Sequence, residues 1–239
     1  MDTIIGHAWS LFRQYQGEIS AGAAVLGLLL GGLAWLAGRV RSRAKRLASL
    51  PWHSMPHVYH DSYDANFDNA WAIGSEDLWR RSIESGEYVW ESKAGPNDLR
   101  FVDLHVHDGK RDRELDTSNR PVSVDVRIAS GEWASAAGLM YRFNQVPRRY
   151  YLFLLTGAGD VKFCRFTKGA MTYLFSATLP TVSTGRFARL AIASKGRRFY
   201  LYVNDSLLRV FDDKEIKQGC VGLVAHGPGE FRFDNFSIY

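Results

Sequence analysis

The chain has 239 residues, of which 46% are hydrophobic, 13% aromatic and 23% charged. That is the make-up of a folded protein and excludes a disordered one. Its formal charge of +5 is uneven: six of the 30 Lys and Arg, and two of the 25 Asp and Glu, lie in the first 50 residues, leaving 24 basic against 23 acidic side chains beyond them. The long C-terminal region therefore lacks the basic footprint of a phosphate-backbone binder, which excludes nucleic acid as its partner.

In chain order, residues 1–19 place Ile4, Ile5, Ala8, Trp9, Leu11 and Phe12 on one helical face, the pattern of a short interfacial amphipathic helix. Residues 20–38 carry no charge, and at ~1.5 Å per residue they span about 28 Å, enough to cross a bilayer once. A cleaved signal peptide would have its positive charge before the apolar run, whereas here Arg39, Arg41, Arg43, Lys45 and Arg46 follow it. The reading is an uncleaved single-pass anchor. Positive charge on the C-terminal flank predicts that this side faces the cytoplasm and touches anionic membrane lipid, with the opposite topology as the alternative. Ala23, Gly27 and Gly31 repeat at four-residue spacing, which permits close helix packing in a homo-oligomer or a membrane-protein complex.

Residues 39–57 form a basic juxtamembrane segment and linker, and beyond them the periodicity changes from helical to alternating. Val122, Val124, Val126 and Ile128 share one face of a predicted strand, with Ser123, Asp125 and Arg127 on the other. Val102, Leu104 and Val106 alternate likewise with Asp103, His105 and His107, three side chains that could converge on a transition metal or simply form a solvated face. Further runs follow at short intervals: AGLMYRF, RYYLFLL, DVKFCRF, TYLFSAT, FARLAIASK, RRFYLYV, LLRVFD, CVGLVAH and FRFDNFSIY. Turn residues separate them, among them Gly157 to Asp160, Asn204-Asp205 and Gly227-Pro228-Gly229. Many short strands without an amphipathic helix predict an all-β antiparallel sandwich over residues 58–239. Cys164 and Cys220 lie in apolar strand runs and read as buried thiols, with one cross-sheet disulfide as the alternative in an oxidising compartment.

The order of AGLMYRF, YYLFLL, GRFARLAIASKGRRFYLYVNDSLLRVFDD and GCVGLVAHGPGEFRFDNFSIY, with DSYDANFDNAWAIGSEDLW as an opening strand and loop, resembles the concanavalin A-like lectin/glucanase superfamily, in particular its laminin G-like modules. The resemblance implies a jelly-roll β-sandwich and a ligand face on one sheet, and it leaves function open among lectins, glycosidases and adhesion modules. It also implies that Arg142 lies on the concave, ligand-facing sheet, and that Asp61, Asp64 and Asp234 meet on terminal strands where members carry a structural calcium ion.

A sugar site needs an aromatic platform with a few polar groups. Tyr200 and Tyr202, opposite Phe199, Leu201 and Val203, form one candidate, and Arg142 with Tyr150 and Tyr151 a second; cross-strand pairing or a protein interface explains the same tyrosines. Retaining glycosidases present paired carboxylates about 5 Å apart, and the nearest candidates here are Glu84, Glu87 and Glu91 in SIESGEYVWES. No nucleophile elbow or phosphate loop occurs. The sequence thus favours a membrane-anchored, non-enzymatic binding or accessory module that contacts a glycan or a membrane-protein partner through a sheet face. A membrane-tethered glycoside hydrolase and a homo-oligomer scaffold are the alternatives.

Overall fold

The computed structural model describes residues 55–64, 71–104, 117–180 and 182–239. The chain divides after Pro51, and every described element belongs to the unit Trp52–Tyr239. The interfacial helix, the span at 20–38, Ala23, Gly27, Gly31 and the basic run Arg39 to Arg46 lie outside the described residues, as do His105 and His107. No described helix is long and apolar enough to cross a membrane.

The described residues form fifteen strands: β1 (Tyr59–Asp61), β2 (Gly74–Ser75), β3 (Trp79–Glu84), β4 (Glu87–Ser92), β5 (Leu99–Asp103), β6 (Val122–Gly131), β7 (Ala136–Asn144), β8 (Arg149–Thr156), β9 (Asp160–Thr167), β10 (Ala170–Thr178), β11 (Ala188–Lys195), β12 (Arg198–Val203), β13 (Ser206–Asp212), β14 (Cys220–His226) and β15 (Gly229–Ile238). They build a nine-stranded sheet in the order β13-β12-β11-β6-β15-β4-β3-β2, with β1 also on β15, and a six-stranded sheet in the order β10-β9-β8-β7-β14-β5. All pairings are antiparallel. The expected sandwich is present, and its jelly-roll character shows in the crossovers, such as β15 seated between β6 and β4.

The alternation in the sequence becomes the core. Val122, Val124, Val126 and Ile128 of β6 meet Tyr151, Phe153 and Leu155 of β8, and Leu223 of β14, in one buried cluster between the sheets. Burying each such side chain contributes on the order of 1.5–3 kcal/mol. Tight hairpins hold the register. Ser85 and Gly86 (φ 55° and 77°), Lys168 and Gly169 (53° and 79°), and Asn204 and Asp205 (47° and 63°) all have positive φ, which matches the twist of the strands they join. Cys164 and Cys220 are not joined in a cross-sheet disulfide.

Three β-bulges break the alternation where it matters for function. One lies in β7 between Tyr141 and Asn144, one in β10 between Tyr173 and Phe175, and one in β12–β13 between Leu201 and Tyr202. An extra residue at a bulge reverses which face the following side chains reach.

Candidate functional site

The face of the six-stranded sheet turned away from the core is hollowed into a groove of about 580 Å³. Parity puts Tyr150, Leu152 and Leu154 of β8, and Cys164 and Phe166 of β9, on its floor, while their neighbours Tyr151, Phe153 and Phe163 enter the core. On neighbouring β7, a Cβ at Gly138 would stand 2.0 Å from the Phe153 carbonyl oxygen, so no larger residue fits between the strands. Tyr150 stacks on Phe166 with ring centroids 4.9 Å apart and planes 7° from parallel.

The rim is polar and aromatic, with Asn97, Asp98, Arg148, Thr156, Lys162, His226 and Tyr173. Tyr173, on the outermost strand, is 70% exposed, and the Lys162 Nζ lies 6.0 Å from its ring centroid. Trp133, in the β6–β7 turn beside lining residue Ala134, is 76% exposed. An exposed aromatic ring such as Tyr173 at the edge of a groove is the kind of surface that excludes water from the flat face of a sugar. Among the described residues the groove lining contains one carboxylate, Asp98, which accepts a hydrogen bond from Trp79 Nε1 at 3.2 Å and lies 3.4 Å from Arg100. The Cys164 thiol on the floor is pushed up to about 12 by burial, far from the thiolate a nucleophile needs.

Arg142, Tyr150 and Tyr151 do not form one surface group. Tyr150 alone reaches the groove. Tyr151 is in the core, donating to Asp213 Oδ1 at 2.8 Å, and burial raises its pKa. Arg142 was expected on the ligand-facing sheet surface and instead points inward, because it sits in the β7 bulge with φ 53° and is 1% exposed. Its Nε and Nη2 donate to the Ser118 carbonyl at 2.9 and 2.7 Å, Nη2 also to Ser194 Oγ and the Gly196 carbonyl, each at 2.8 Å, and Nη1 to the Ile216 carbonyl at 2.8 Å. Tyr200 and Tyr202 do share the outer face of the nine-stranded sheet, opposite Phe199, Leu201 and Val203. They are only 4% and 1% exposed, lying against Ala193 and Ala191 of β11, so they offer little open platform.

The three aspartates considered for calcium are already hydrogen-bonded. Asp61 accepts from Trp71 Nε1 at 2.8 Å, Tyr59 Oη at 3.0 Å and the Tyr63 amide at 2.7 Å. Asp64 accepts from Ser62 Oγ at 2.7 Å, and Asp234 from the Asn235 amide at 2.7 Å. Burial first, then the charges of Asp125, Glu87 and Asp64, raise the Asp234 pKa. Among the described residues no three His, Cys, Asp or Glu are grouped to hold a metal ion.

Glu87 and Glu91 share the outer face of β4, on the sheet away from the groove. Residues four apart on a strand are about 13 Å apart, beyond the roughly 5–9.5 Å at which carboxylate pairs cleave glycosidic bonds. Glu87 is held by Arg127 at 2.9 Å and Arg232 at 2.8 Å, Glu91 lies 3.4 Å from Arg80, and Arg80 also binds Glu84. These acids form an ion-pair ladder across β3, β4, β6 and β15.

No known protein family matches the sequence, and no curated protein does. The fold, however, resembles solved structures. A galectin-like protein of unknown function from Bacillus subtilis matches at TM-score 0.56 and 8% identity, over 77% of this chain and 96% of that one. A laminarinase from Flavobacterium sp. UMI-01 matches at TM-score 0.55 and 11% identity, over 77% of this chain and 100% of that one. A β-1,3-1,4-glucanase (lichenase) from a mouse hindgut metagenome matches at TM-score 0.53 and 11% identity, over 75% of this chain and 97% of that one. At these identities the likeness shows the fold alone, an antiparallel jelly-roll β-sandwich.

Proposed function

We propose that this chain is a glycan-binding module that holds a saccharide in the groove of the six-stranded sheet without cleaving it, and that residues 20–38 tether it to a membrane. The observation that carries the reading is the groove itself. It combines an exposed aromatic ring, Tyr173, with hydrogen-bonding groups at Asn97, Asp98, Thr156, Lys162 and His226. Its floor along β8 is Tyr150, Leu152 and Leu154, where hydrolysis would need two carboxylates. The glucan-cleaving enzymes that share the fold support a saccharide as the class of ligand.

Retention on immobilised laminarin, lichenan and a broader glycan array tests the proposal, using the full-length chain in detergent. Wild type is expected to be retained by at least one glycan, with no new reducing ends appearing on prolonged incubation. Tyr173→Ala should weaken that retention about 5- to 150-fold, the equivalent of ~1–3 kcal/mol for one stacked ring. Its stability should be unaffected, since the side chain is mostly exposed. Failure to bind any glycan refutes the reading, and release of reducing ends returns the hydrolase.

A further inference from the structure

The register of β6 and β11 gathers the segments 117–120, 196–197 and 213–217 at the end of the sandwich opposite the 131–135 turn. Between them is a second cavity of about 410 Å³, lined by Asn119, Arg142, Gly196, Arg197, Asp213, Lys214, Ile216 and Lys217. Its lining includes Arg142, which is 1% exposed. All the hydrogen-bond partners of the Arg142 guanidinium are neutral: three backbone carbonyls and the Ser194 hydroxyl. It also lies 4.8 Å from the Phe199 ring centroid. Among the described residues no carboxylate pairs with it. Nη1 donates one bond, to the Ile216 carbonyl, and its second hydrogen has no partner among the described residues.

The other charges around the cavity do not compensate. Among the described residues Asp213 is the only acid in its lining, Glu215 of the same segment not being part of it, and the Asp213 carboxylate is occupied by Arg165, the Tyr151 hydroxyl and the Glu215 amide. Arg197 reaches only Asp212, at 4.0 Å, and Asp212 is already held by Arg198 at 3.0 Å. Lys214 and Lys217 have no ion-pair partner among the described residues. A buried guanidinium is costly unless an opposite charge meets it, and here three further cations line the same cavity while the one acid in its lining, Asp213, is neutralised elsewhere.

We propose that this cavity is an oxyanion site, binding a phosphate, sulfate or carboxylate group that supplies the missing counter-charge to Arg142, with Lys214, Lys217 and Arg197 closing around it. Its volume falls in the range of small-molecule pockets, which leaves room for the anion to be carried on an organic ligand such as an acidic or phosphorylated sugar as well as for a free ion. The site is distinct from the groove, which shares none of its lining residues.

The test is calorimetric titration and thermal shift of the full-length chain in detergent, at constant ionic strength, with inorganic phosphate, glucose 6-phosphate and glucuronate against chloride. The expected result is saturable binding of at least one oxyanion. Tighter binding of the sugar-borne anions identifies an organic ligand, and equal binding of inorganic phosphate a free ion. Either supports the site. Lys214→Ala combined with Lys217→Ala, both exposed and expected to leave the fold intact, should weaken binding on the order of tenfold or more. Tyr173→Ala should leave the anion response unchanged even if it abolishes glycan retention. A response no greater than that to chloride, or one the double lysine variant retains in full, overturns the proposal.

Discussion

Replacing Arg142 by Met removes the one side chain that ties β7 to three other segments, and the structure allows the cost to be estimated group by group. The Ser118 carbonyl keeps donors, since Ser194 Oγ at 2.9 Å and Tyr141 Oη at 3.1 Å also bond to it. Ser194 Oγ likewise keeps Tyr141 Oη at 2.8 Å. The Ile216 and Gly196 carbonyls lose the donor that Arg142 supplies. At about 1–3 kcal/mol for each acceptor stripped of its partner, and ~1–2 kcal/mol for the lost contact with Phe199, the gross loss is about 3–8 kcal/mol. Removing a desolvated charge and burying a thioether return a few kcal/mol. The net expectation is a destabilisation of about 2–4 kcal/mol, a large fraction of the ~5–15 kcal/mol that holds a domain together. Arg142→Lys should do no better, because three donors on one nitrogen cannot span the positions that the planar guanidinium reaches. Urea unfolding followed by tryptophan fluorescence measures both variants. An Arg142→Met midpoint equivalent to less than about 0.5 kcal/mol from wild type would show that the hydrogen bonds of this knot are replaceable and would refute the accounting.

Two further outcomes follow from the electrostatics. Burial holds the Cys164 thiol near 12, so at a pH of about 8 iodoacetamide should leave it unmodified in the native chain while labelling half-buried Cys220, and urea should abolish the difference, as read by mass spectrometry. Burial first, then Asp125, Glu87 and Asp64, raise the Asp234 carboxyl above its ordinary 3.8. A carboxyl with a raised folded pKa opposes folding when ionised: the penalty is complete above the folded value and absent below the unfolded one. Asp234→Asn should therefore raise the melting temperature at neutral pH and change nothing near pH 3. A loss at neutral pH that a chelator abolishes would instead make Asp234 a calcium ligand.

How far the sequence carried depends on how each strand is buried. β6 reads cleanly because one face meets the core and the other is more open, so Val122, Val124 and Val126 alternate with polar residues. β7 and β8 are buried on both faces, so AGLMYRF and YYLFLL are nearly continuous apolar runs. Parity still says that Tyr150 and Tyr151 oppose each other, but no local signal says which of them meets the groove. Tyr200 and Tyr202 read as outward from their alternation with Phe199 and Leu201, and they are; that they are also covered depends on partners distant in sequence, including Ala191 and Ala193 across the β11 pairing.

Arg142 and Tyr173 show the deeper limit. A continuous alternation would put Arg142 beside Met140 on the groove face, yet the bulge with φ 53° turns it toward Ser118 and Ile216, and Phe143 takes the outer position instead. The β10 bulge does the reverse: Leu174 and Phe175 both pack toward the core, leaving Tyr173 at the groove rim. One inserted residue in β7 thus moved an arginine from the groove into the interior, and another in β10 left an aromatic on the groove. A non-glycine residue at positive φ within an apolar run leaves no compositional trace, so the face a side chain reaches has to be seen in the fold. In this protein that matters for both proposed sites, because the bulge that deprives the groove of Arg142 is the same one that lends its charge to the cavity at the end of the sandwich.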